Sequence, residues 1–117
     1  MSDVQTPSGW PEASYRAAAD AALSRVEAMV DRWLQDDLID IDSARTGGML
    51  TLTLPDQTQL IINMQPPLHE LWLAARSGGY HFKFAGDAGW TDTKDGREFF
   101  AVLSQCATEQ AGQVLAF

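Results

Sequence analysis

The chain has one cysteine, two histidines and only eight lysines and arginines among its 117 residues. Each scarcity excludes something. A single Cys106 forbids an internal disulfide and any all-cysteine zinc or cluster site built by one chain, and it points to a reducing compartment. His69 and His81 make neither an HxxxH nor an HExxH spacing, so a closed zinc site is not encoded. There is no nucleophile elbow and no glycine-rich phosphate loop, which leaves no recognisable catalytic apparatus and no reading as an enzyme. No stretch approaches the roughly 18 apolar residues that span a bilayer. The opening MSDVQTPSGW is neither a signal nor a transit peptide, so the bacterial cytoplasm is the expected location.

What is abundant is negative charge. Sixteen acids against eight bases give −8, and residues 1–42 alone hold nine acids against three arginines. One end of the molecule is therefore an anion, which repels phosphate backbones and anionic lipid and attracts metal cations and basic protein surfaces. Nucleic acid and membranes are excluded as partners on that ground. At this length and with 45% hydrophobic residues, a single folded domain over 1–117 is expected, with residues 1–10 loose.

Apolar residues at Tyr15, Ala19, Ala22, Leu23, Val26, Met29, Val30 and Trp33 recur every three or four positions, predicting a helix from Pro11 to Leu34. After Gln35 the period becomes two. Ile39 and Ile41 alternate with Asp40 and Asp42, and beyond the Gly47-Gly48 turn Leu50, Leu52 and Leu54 alternate with threonines. QLIINMQ, HELWLAAR and YHFKF read as further strands, and Trp90 as a short sixth. Pro66-Pro67 forces a bend, on which His69 is expected to be exposed. D-G-R-E at Asp95–Glu98 resembles a capping box before a second helix carrying Phe99, Leu103, Cys106 and Gln110, which Gly112 ends. Cys106 reads there as a small core hydrophobe. Strands in sequence between two helices imply an α+β fold: a two-layer sandwich with both helices on one face of a five- to six-stranded antiparallel sheet.

Two constellations carry function. Asp20, Glu27 and Asp31 share one helix stripe with Ser24, and the acids continue through Asp36 and Asp37 to Asp40 and Asp42. Carboxylates this dense repel one another, so the ridge favours a cation or a basic partner, and oxygen ligands suit hard cations, with ferrous iron tolerated. In the fourth strand Trp72 alternates against Leu71 and Leu73, which sets it on the uncovered face beside Asn63 and Gln65, or partly packed along that face.

The segment LIINMQPPLHELWLAARSGGYHF, residues 60–82, resembles the central stretch of the frataxin family, and the likeness runs on through Asp40-Ile41-Asp42, Trp90, Asp92-Thr93, Gly96, Glu98-Phe99-Phe100 and Ala107–Gly112. The resemblance implies a non-catalytic accessory of iron–sulfur cluster assembly that binds ferrous or ferric iron weakly and reversibly. It places iron on Glu12, Asp20, Glu27, Asp31, Asp36, Asp37, Asp40 and Asp42, with His69 a further candidate ligand. It implies docking on a cysteine desulfurase and its scaffold protein through Asn63, Gln65 and Trp72, as a monomer, with iron-dependent oligomers the variant to watch for. The alternatives are an iron-oxidising storage protein, or an acidic adaptor with no metal role. Arg25, Ala28 and Arg32 interrupt the acid run expected of the family's first helix, and Arg16 stands where some members carry a first-turn histidine, which removes one candidate ligand.

Overall fold

The computed structural model describes residues 10–117, so the loose start expected over 1–10 falls, but for Trp10, outside the described residues. These form α1 (Glu12–Gln35), β1 (Asp42–Thr46), β2 (Met49–Thr53), β3 (Gln59–Gln65), β4 (Glu70–Ala75), β5 (Gly78–Phe84), β6 (Trp90–Asp92) and α2 (Phe99–Ala111). The six strands make one antiparallel meander in the order β1-β2-β3-β4-β5-β6, with both helices on the same face. No described helix is long and apolar enough to cross a membrane.

The predicted helical stripe is the buried one. Tyr15, Ala19, Ala22, Leu23, Val26, Val30 and Trp33 all lie in the core, over the alternating Leu50, Leu52, Leu60, Ile62, Leu71, Leu73 and Phe82 of the sheet. Each such leucine contributes about 1.5–3 kcal/mol by leaving water. From α2, Phe99, Leu103 and Cys106 complete the same cluster, and Phe99 meets Phe82 edge-on at 5.2 Å. The chain's last residues close its end: Leu115 and Phe117 are buried, and Phe117 packs on Trp33 at 4.7 Å.

Three local expectations differ from the structure. Ile39 to Ile41 is an extended connection, and β1 begins only at Asp42, because the sheet ladder opens with Asp42 opposite Thr53. The D-G-R-E box does not form: Asp95 accepts from the Arg97 backbone N–H at 3.0 Å, and Glu98 is itself the cap, accepting from Phe100 and Ala101 at 2.9 and 3.2 Å. A carboxylate in that position satisfies two N–H groups the helix leaves unpaired. The third concerns His69. The Pro66–Leu68 turn bends the chain as expected, but it folds His69 inward to 1% exposure instead of out to solvent.

Candidate functional site

The acidic end is built on α1 and the strand beside it. Asp20, Ser24 and Glu27 fall at intervals of four and three, so they line one flank of α1 over two turns. In β1, alternation turns Asp42, Ala44 and Thr46 to the open face of the sheet and Ser43 and Arg45 toward the helix. Because β1 is the edge strand, the inward Arg45 meets the flank of α1. Its guanidinium donates to Glu27 at 3.1 Å and Ser24 at 3.3 Å through one nitrogen and to Asp20 through the other. Partial burial alone would lower the Arg45 pKa, but the hydrogen bonds it donates to Glu27 and Asp20 outweigh it and raise the pKa.

Pairing divides the predicted iron ligands. Glu12 is held by Arg16 at 2.9 Å, Asp36 by Arg32 at 3.2 Å, and Asp20 and Glu27 by Arg45. Asp31, Asp37, Asp40 and Asp42 are exposed, and none has an ion pair among the described residues. Asp37 closes the helix end with φ 55, a left-handed backbone that Asp tolerates, and joins Leu34, Ile39 and Asp40 around a hollow of about 160 Å³. Among the described residues no three His, Cys, Asp or Glu converge as a metal cage. Such separate carboxylates can hold a hard cation only loosely.

His69 stands near Glu12 at the start of α1, away from the acids of the helix end. Its ring stacks on Tyr15 at 4.7 Å and 9°, beneath the first turns of α1. Burial lowers its pKa from 6.5, opposed by Glu12 and reinforced by Lys83 and Arg16. Tyr15 fastens the same corner: its hydroxyl donates to the Glu70 carbonyl at 2.8 Å and accepts the Gln65 N–H at 3.1 Å.

The other surface is the open face of the sheet. Register sets Asn63 opposite Trp72, Trp72 opposite His81, and Gln65 opposite Glu70. Trp72 therefore points away from the helices, beside both amides, and it is also half-buried. Its ring stacks on His81 at 4.1 Å and 8°, and its Nε1–H donates to Glu70 at 2.7 Å. A tryptophan fixed on two sides is a preorganised contact surface. His81 and Glu70 belong to this surface; the alternation of β4 already sets Glu70 on the face of Trp72, whereas His81 was missed in the sequence. The alternation of β4 and β5 carried the signal, but only the cross-strand register joins them. A cleft of about 460 Å³, lined by Arg16, Asp20, Arg45, Asn63, Met64 and Pro66 among others, connects the open face to the acidic end.

Residues 8–113 match the frataxin-like domain. The iron-sulfur cluster assembly protein CyaY of Polaromonas sp. strain JS666 is 52% identical over 103 residues, covering 88% of each chain. That of Variovorax paradoxus strain S110 is 50% identical over 106 residues, covering 91% of this chain and 96% of its own. Among solved structures, the frataxin from Psychromonas ingrahamii superposes with a TM-score of 0.73 at 28% identity, over 92% of this chain and 97% of that one.

Proposed function

The chain belongs to the frataxin-like family, and from that membership we propose that it is an accessory protein of iron–sulfur cluster assembly, working by binding and without a reaction of its own. In this reading it acts as a monomer in the bacterial cytoplasm and docks on the cysteine desulfurase and its scaffold protein. Iron is its cargo, held weakly. The observation that carries the reading is the adjacency of two surfaces: an end dense in acids, and an open sheet face on which Trp72 is locked between His81 and Glu70. Charge of one sign steers encounter with a basic surface but gives poor register, and a rigid central aromatic flanked by the Asn63 and Gln65 amides supplies that register.

For iron, the acids to consider first are Asp31, Asp37, Asp40 and Asp42, since Glu12, Asp20, Glu27 and Asp36 already have cationic partners. Oxidation and storage would call for Glu and His ligands gathered on facing helices, an arrangement for which nothing in α1 and α2 argues. The pairing by Arg45 favours a second reading, the acidic adaptor with no metal role. Anaerobic ferrous titration separates the two. The D31N/D37N/D40N/D42N variant should bind ferrous iron at least about tenfold more weakly than the parent protein, while any single replacement changes little. Equal binding by both proteins would take the iron off these four acids, and no binding by the parent would remove iron from the function and leave the adaptor.

A further inference from the structure

We propose that Arg45 is a built-in counter-cation that keeps metal ions off the Asp20–Glu27 part of the ridge, so that it determines which of the ridge acids can carry iron. The inference rests on the reading of the ridge as a cation-binding surface and refines it.

Three features set Arg45 apart. The other ion pairs of the described residues are local, joining side chains two or four positions apart, whereas Arg45 reaches residues 18 and 25 positions away. Its side chain is 22% exposed, against 55% and 71% for Arg16 and Arg32, so it is held in place where they are solvated. Its backbone is fixed too, since Arg45 lies opposite Leu50 in the β1–β2 ladder.

The planar guanidinium presents separate N–H groups to two carboxylates, which a lysine could neutralise but not bridge. Asp20 and Glu27 stand two turns apart on α1, about 10 Å along its axis, and both lean toward the fork between them. The place a cation would take between these acids is thus filled by one that the chain itself supplies. A metal ion arriving there must displace a unit charge from both acids. Asp31, one turn beyond Glu27, lies past the reach of the fork, as do the acids of the α1–β1 connection.

Side-chain carboxyl ¹³C shifts read the prediction acid by acid, with calcium as a diamagnetic oxygen-seeking probe. In the parent protein, Asp31, Asp37, Asp40 and Asp42 should move with calcium at lower concentrations than Asp20 and Glu27. In R45Q, Asp20 and Glu27 should titrate at about fivefold lower calcium than in the parent, the factor expected when one unit charge near 4 Å is removed even in a watery setting. Asp20 and Glu27 titrating together with Asp31 in the parent would overturn the proposal, as would their indifference to R45Q. Should R45Q fail to fold, the order of titration in the parent decides alone. If no acid of the parent responds while Asp20 and Glu27 of R45Q do, Arg45 is the counter-cation and the cargo reading falls. If all the ridge acids of the parent respond at one midpoint, the cargo reading stands and the role of Arg45 falls.

Discussion

Replacing Tyr15 by phenylalanine removes one oxygen from a side chain with 0% exposure and leaves its ring on His69 untouched. That oxygen serves two backbone groups, accepting the Gln65 N–H at 3.1 Å and donating to the Glu70 carbonyl at 2.8 Å. A buried donor left without a partner costs about 1–3 kcal/mol, and the carbonyl loses less because it has a second lone pair. The expected loss is therefore about 2 kcal/mol. At this chain length that is a fall of roughly 8 °C in melting temperature. Urea unfolding gives the free energy, and amide hydrogen exchange gives the location. Exchange at Gln65 should accelerate, and Trp72 on the adjoining strand should lose some of its fixed orientation. Stability within about 0.5 kcal/mol of the parent, with Gln65 exchange unchanged, would refute the reasoning and make Tyr15 a packing residue only.

Two further outcomes follow from the core. His69 titrates below its ordinary 6.5 because it is buried, so between 6.5 and its folded-state value the unfolded chain binds the extra proton. Stability should fall as the pH drops below 6.5, by at most about 1.4 kcal/mol per pH unit, then level off under the folded-state value; denaturant midpoints across this range should show a flatter dependence in His69→Phe. Leu115 is 1% exposed and its backbone is bonded both ways to Thr108, so Leu115→Ala should cost about 2–5 kcal/mol by thermal unfolding, and a cost under 0.5 would mean the chain end packs loosely.

The sequence reveals periodicity well and long-range pairing poorly, and the particular residues divide along that line. The stripe from Tyr15 to Trp33 and the alternation of Leu50, Leu52, Ile62, Leu71 and Phe82 are local patterns, and they were sufficient for the helix-covered antiparallel sheet. Ile39 and Ile41 show the same alternation but have no neighbouring strand to pair with, and that can be learned only from the ladder. His69 looked exposed because Pro66 and Pro67 break the ladder; the left-handed backbone at His69, φ 52, instead turns its ring under α1. Arg45 was the least legible. Composition counts it as one positive charge among eight, whereas its effect comes from contacts 18 and 25 residues away. The ridge consequently looked more repulsive in sequence than its pairing leaves it.

Affinity for the purified cysteine desulfurase–scaffold complex, measured for the parent protein and for Trp72→Ala at low and physiological salt, bears most directly on the proposed role. Loss of the Trp72–His81 stack should cost the fold only about 1 kcal/mol, since the ring fills no cavity in the helix-covered core. The complex should weaken by about 2 kcal/mol, or roughly thirtyfold, while association of the parent slows as the Debye length shrinks to about 8 Å. A parent protein that does not bind at low salt, or a Trp72→Ala variant that binds as tightly as the parent, would contradict the account.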